Sequence, residues 1–307
     1  KSNNDFIIQL YGDKKLLAEE LSKQNIKSDI IQLIHTDGVV SDEETPLTAI
    51  KNSKNTSMWN SIKAQVDGEA DISLSAGNTG VLFVISKMIL KMMKEVSKPA
   101  LAGLWPSQKG MSVVLDLGAN IECNEKNLID FSEMGAALYK SIFPEQKPFV
   151  SLLNIGSEEI KGTEVLKKTF SELKRLSNET NFIFNGYIEG NKIMHGESNV
   201  IVTDGFTGNV ALKTAEGTAN FITSELKLAL TNSLMGKLSS LLNMSSLKKF
   251  KKRLDPRLYN GAIFIGLNSP VIKSHGGTDF IGFSNSLSVC NKIVTGHLIE
   301  KIKENIN

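Results

Sequence analysis

The side chains best placed for chemistry lie in four short glycine-rich turns: Ser75-Ala76-Gly77-Asn78-Thr79-Gly80, Asp116-Leu117-Gly118-Ala119-Asn120, Asp204-Gly205-Phe206-Thr207-Gly208-Asn209 and Ser274-His275-Gly276-Gly277-Thr278-Asp279. Each follows an apolar, strand-like run. Glycine permits positive φ and close approach of a ligand to the backbone. Small Ser, Thr and Asn side chains add donors. A turn of this kind that opens into a helix presents unpaired N–H groups and makes an anion site. Four in one chain predict a phosphate-handling site along the edge of one sheet.

Each candidate has a plainer alternative. Ser75, Gly77, Asn78 and Thr79 read as an anion cradle or as an ordinary strand-to-helix turn with good caps. Gly118 and Asn120 belong to the second turn, and Asp204 and Gly208 to the third. Asn209 and Lys213 are four apart and share a helical face; Asp204 alone reads equally as a helix cap. In Asn154-Ile155-Gly156-Ser157-Glu158-Glu159-Ile160-Lys161-Gly162, Lys161 is a candidate cation for a phosphate or a developing oxyanion, or one charge in a solvated turn. His275 sits among glycines where a ligand can reach it; His35, His195 and His297 lack such a setting.

The elements that must position these groups alternate. Strands are predicted at 6–13, 30–35, 70–74, 113–115, 149–155, 182–184 and 200–202. Helices are predicted at 14–24, 56–67, 80–96, 127–143 and from about Thr163, with an acidic loop at Ser41–Thr45. Alternation implies an α/β domain, a mostly parallel sheet with helices on both faces. One stretch departs from the pattern. Leucines at 226, 230, 234, 238, 241 and 242 form a stripe, and eight Lys/Arg against one Asp lie between 226 and 257. This predicts a helical hairpin with a basic second arm, within one domain spanning 1–307. Its tip is Leu241, Leu242 and Met244, flanked by Lys248 and Lys249. Apolar tip plus basic flank is the pattern of a helix that settles into an anionic membrane interface. Core and subunit packing are the alternatives for the stripe.

Composition narrows the class. The chain has 307 residues, 41% hydrophobic and 22% charged, with net charge +2. Nothing global points to nucleic acid. Cys123 and Cys290 lie far apart without metal-ligand spacing and read as reduced cytosolic thiols. No signal peptide or membrane span is visible. The chain lacks an initiator Met, which suggests a segment upstream of the sequence. GxGxxG, GxxxxGK[ST], GxSxG and HExxH are all absent, so dinucleotide, P-loop, esterase and zincin readings lose their support.

Taken in order, Glu69-Ala70-Asp71 leading into Ser75–Gly80, Leu115–Asn120, Leu153–Gly162, Asp204–Val210, Gly266-Leu267-Asn268 and Val271–Asp279 resemble the phosphate acyltransferases of bacterial phospholipid synthesis, the PlsX family. The match runs along nearly the whole chain. It departs at the family's opening Asp-Ala-Met-Gly-Gly-Asp turn, which is absent here. The resemblance implies transfer of an acyl group from acyl carrier protein to inorganic phosphate, with no cofactor or metal. It implies a three-layer, Rossmann-like fold similar to phosphotransacetylases and isopropylmalate dehydrogenase. It further implies a homodimer, cytoplasmic and peripheral to the inner face of the cell membrane, that feeds a downstream membrane acyltransferase. Phosphate is already a nucleophile, so the site need only position it and stabilise an oxyanion; Lys161, His275, Asn209 and Lys213 suffice in kind. An enzyme using acyl-coenzyme A and a non-enzymatic membrane scaffold are the alternatives.

Overall fold

The computed structural model describes residues 6–26, 29–41, 43–145 and 147–306; the opening Lys1–Asp5 and Asp42 of the acidic loop lie outside them. In chain order the elements are β1 (Ile8–Gly12), α1 (Lys14–Lys23), β2 (Ile31–His35), α2 (Pro46–Asn52), α3 (Ser57–Val66), β3 (Ser73–Ser75), α4 (Thr79–Leu90), β4 (Ala100–Ser107) and β5 (Gly110–Leu115). Then follow α5 (Glu125–Ile142), β6 (Phe149–Asn154), α6 (Glu164–Arg175), β7 (Ile183–Glu189), β8 (Val200–Val202), α7 (Gly205–Thr231), α8 (Leu234–Leu242), α9 (Met244–Arg253), β9 (Ala262–Ile265), β10 (Val271–Lys273), α10 (Phe280–Thr295) and α11 (Leu298–Asn305).

Eight strands form one sheet in the order β3-β10-β9-β4-β5-β8-β6-β7, and β1 pairs with β2 apart from it. Parallel pairing predominates, five pairs against three. Val113-Val114-Leu115 and Val200-Ile201-Val202 are wholly buried, as expected of strands covered on both faces. On one face α5, α10 and α11 bury Phe131, Met134, Leu138, Ile293 and Ile302. On the other, α4 packs Val81, Leu82 and Ile85 against Phe264 and Val271, while α7 lays Ala211, Leu212 and Ala215 on Trp105, Leu153 and Ile201. Leu101 touches both of these clusters and lies where they meet.

Three sequence expectations change. The helix predicted to run to Val96 stops at Leu90: Lys91 turns to φ 58, and Asn268 caps the end by donating to Leu90 O at 3.0 Å. β4, unread in the sequence, makes an antiparallel hairpin with β5 and pairs antiparallel with β9. The hairpin expected at 226–257 is the end of α7 followed by α8 and α9. Its leucine stripe breaks at Asn232-Ser233, where the Ser233 hydroxyl accepts from Gly236 N at 2.9 Å and starts a new helix. α7 is 27 residues long, about 40 Å. No leucine of the stripe is buried among the described residues, which exclude the Leu234 side chain. Leu241 and Leu242 are 61% and 79% exposed. No helix among the described residues is long and apolar enough to cross a membrane.

Candidate active site

The second and third glycine turns come together at the carboxyl ends of β5 and β8. Asp116, fully buried, is their hub. Its Oδ1 accepts from the N–H groups of Leu101, Gly118 and Ala119 at 3.0, 3.2 and 3.0 Å. Its Oδ2 accepts from Asn120 N and Nδ2 at 2.7 and 2.8 Å. Burial pushes this carboxyl up, while the donors from Ala119, Leu101 and Asn120 pull it back. Asn120 O in turn accepts from Gly205 N at 2.7 Å, which seats the start of α7 on the loop. A Cβ at Gly208 would meet Asp116 O, so this contact requires glycine. Gly118 holds φ +127, and a Cβ there would lie 3.5 Å from that of Asn209. Asp204 caps α7 through Thr207 N at 2.8 Å. Asn209 is exposed and its side chain makes no hydrogen bond among the described residues, whereas Lys213 pairs with Glu216 at 2.8 Å.

The loop after β6 opens at the same sheet edge. Buried Asn154 folds it: Oδ1 accepts from Ile155 N at 2.9 Å and Nδ2 donates to Lys161 O at 3.1 Å. The Lys161 side chain is exposed and forms no ion pair among the described residues, while neighbouring Glu159 is engaged by Lys174 at 2.7 Å.

The first and fourth turns form a second cluster after β3 and β10. Ser274 N donates to Ser75 O at 2.9 Å, and Lys273 Nζ donates to Ala76 O at 3.3 Å. Ser75 Oγ accepts from Gly77 N at 3.2 Å. Asn78 caps α4 by accepting from Val81 N at 3.1 Å. The N–H groups of Thr79 and Gly80 lie in the first turn and have no partner within the helix. Gly277 N donates to His275 Nδ1 at 3.1 Å, so the neutral ring carries its proton on Nε2 and presents it as a donor. Gly77 does not need positive φ; a Cβ there would meet the end of the buried Met58 side chain at 2.7 Å and Ser75 Oγ at 3.5 Å.

The four turns do not share one edge. β9 and β4 run antiparallel to their neighbours, so strand direction reverses between β10 and β5. Ser75, Gly77, Asn78, Thr79 and His275 therefore lie at one end of the sheet. Gly118, Asn120, Lys161, Asp204, Gly208, Asn209 and Lys213 lie at the other. The paired run from Ala262 to Ile265 separates them by about 10 Å of strand. The sequence reading passed over Asp116, Lys273, Asn260 and Arg257. The first two stand within recognised motifs and were legible there; Asn260 acts through contacts distant in sequence, and Arg257 joins its neighbour Asp255 to the distant Asp279.

No Ser or Cys is hydrogen-bonded to a His side chain among the described residues, and burial pushes Cys123 and Cys290 up to about 11 and about 12. Neither thiol is a ready thiolate.

Residues 1–301 match the family model described as "Fatty acid synthesis protein". A protein of Pelagibacter ubique named "Phosphate acyltransferase" is 61% identical over 306 residues, covering 100% of this chain and 91% of that one. One of the same name from Maricaulis maris is 41% identical, covering 97% of this chain and 85% of its own. The EutD phosphotransacetylase of Staphylococcus aureus superposes with TM-score 0.59 at 16% identity, over 94% of this chain and 85% of that one. That likeness is one of fold.

Proposed function

The chain belongs to the fatty acid synthesis protein family and is an acyltransferase, and from that premise we propose that it moves an acyl group from the thioester of acyl carrier protein to inorganic phosphate. The observation that carries the reading is the pair of donor-rich clusters at opposite sheet edges, without an activated Ser or Cys among the described residues. A phosphate oxygen attacks the thioester carbonyl, the C–S bond breaks, and the departing thiolate takes a proton. The products are acyl phosphate and free carrier thiol. No covalent enzyme intermediate is formed.

Phosphate belongs at the start of α4. Its cap is the neutral Asn78, whereas the start of α7 already holds the Asp204 carboxylate, which disfavours a dianion. The Nε2–H of His275 is then the donor to the developing oxyanion. Lys161, Asn209 and Lys213, at the other edge, hold the remote part of a long thioester donor. This division replaces the expectation that Lys161 and His275 act on one carbonyl.

The uncovered leucine face of α8, with exposed Lys248 and Lys249 beyond its tip, supports reversible docking on an anionic membrane surface. There the acyl phosphate passes to a membrane acyltransferase. The base of the arm is the surface proposed for a homodimer.

The test is acyl phosphate formation from long-chain acyl carrier protein, with and without phosphate, beside the matching coenzyme A thioester. The expected result is phosphate-dependent product from the carrier thioester. Release of free carrier protein in a burst before phosphate is added would refute direct transfer.

A further inference from the structure

The Ser274–Asp279 turn is held at both ends by one short segment, residues 255–260, that closes the helical arm. At the near end, Asn260 Nδ2 donates to Ser274 Oγ at 2.8 Å, and Asn260 Oδ1 accepts from His275 N at 2.9 Å. Ser274 is fully buried, so its hydroxyl is fixed as well as paired. At the far end, Arg257 Nη1 donates to Asp279 Oδ2 at 2.6 Å. The same guanidinium holds Asp255 through Nε at 2.8 Å. Asp279 also caps α10 through Gly282 N at 3.2 Å. The segment is itself anchored: Tyr259 Oη donates to Arg253 O at 2.8 Å, and Arg253 Nη2 donates to Ser107 O at 3.2 Å.

Three residues of one segment thus meet the end of the arm and both ends of the turn, while Arg253 of α9 ties the arm to the end of β4. We propose that Asn260 and Arg257 are positioning residues that clamp the His275 turn to the base of the arm, Asn260 fixing His275 and Arg257 neutralising Asp279 beside the phosphate. The inference rests on the reading that this turn receives phosphate. Asn260 governs where His275 stands. Arg257 governs the field the dianion meets, since without it the Asp279 carboxylate keeps its cap bond from Gly282 N but loses its cation.

Kinetics and amide exchange of the full chain test it together. Asn260→Ala is expected to raise hydrogen exchange at the His275 amide and to lower kcat by roughly 10- to 100-fold, the range for a misplaced catalytic group. His275→Ala with Asn260→Ala should be no slower than His275→Ala alone, because one acts through the other. Arg257→Gln should raise the phosphate KM by about tenfold, the worth of one charge-assisted pair, with thioester KM unchanged, and Arg257→Lys should restore most of it. If Asn260→Ala does not fold, Asn260→Ser removes the amide that bonds both His275 N and Ser274 Oγ while keeping a small neutral polar side chain. Wild-type exchange at His275 in either Asn260 variant overturns the clamp. Wild-type turnover in His275→Ala overturns the placing of the turn in the site instead, and with it the kinetic half of the inference.

Discussion

Asp116→Asn is the sharpest test of how this chain builds one of its two clusters. The carboxylate is fully buried and accepts five N–H groups, three on one oxygen and two on the other. An amide offers a single acceptor oxygen. Whichever way it is turned, its NH2 faces at least two of those donors. A buried donor left unsatisfied costs about 1–3 kcal/mol, so two cost about 2–6 kcal/mol out of a total near 5–15 kcal/mol. The damage extends to α7, because Asn120 O holds Gly205 N and Asp116 O lies against Gly208. Asn209 moves with that helix start. The expected outcome is a clearly lower urea midpoint and, where the variant is still folded, a raised thioester KM. Urea unfolding followed by circular dichroism, beside steady-state kinetics, measures both. A variant with the wild-type midpoint and wild-type KM would show that the loop does not depend on this carboxylate.

Three further outcomes are expected. Lys161→Ala should raise the thioester KM by more than it lowers kcat, whereas His275→Ala should lose kcat by roughly 10²-fold; the reverse pattern would exchange their roles. Glu133 is pushed up to about 7, first by burial and then by Asp130. The folded state therefore keeps a proton that the unfolded chain has lost, and stability falls as pH rises between about 4.5 and about 7. Glu133→Gln removes that loss. The displacement is worth at most ~3 kcal/mol, and partial solvent access screens it to about 1–2 kcal/mol. The gain should appear at pH 8 and vanish at pH 4; equal midpoints at both would refute it. Leu242→Glu should reduce flotation with anionic vesicles while sparing activity in solution, and equal flotation would discard the membrane role.

Much of the fold was legible because it depends on local rules. Val113–Leu115 and Val200–Val202 are apolar runs of the length and composition of buried parallel strands, and each proved to be one. Asp204 and Asn78 read as helix caps and are caps. The caps do not decide whether those turns also bind a ligand. β4 was hidden because Gly103 and Pro106 interrupt its strand pattern and the turn at Gln108-Lys109 carries no recognised turn pair. That omission mattered more than one strand. Without β4 and β9 as antiparallel members the four turns fall on one edge; with them the direction reverses and the turns divide into two pairs. Turn chemistry is written locally, but the edge on which a turn emerges is set by strand pairing at long separation. Asn260 and Ser274 are a smaller case, since neither residue carries a signal that they meet.

The division of the turns bears on substrate choice. An edge-to-edge separation of about 10 Å of strand is too long for inorganic phosphate or a tetrahedral intermediate to bridge. Only a donor with a long flexible arm reaches both ends, and binding energy gathered at the remote end is then available to orient the carbonyl against phosphate. On this reading the Lys161 edge discriminates between donors and the His275 edge performs transfer. A truncated thioester that keeps the reacting carbonyl but lacks the arm is then expected to lose kcat as well as affinity, because orientation is what the remote contacts supply. The Lys161→Ala variant should narrow the difference in kcat/KM between full and truncated donors. An unchanged difference would mean that the far edge plays no part in holding the donor, and that the two clusters serve separate ligands.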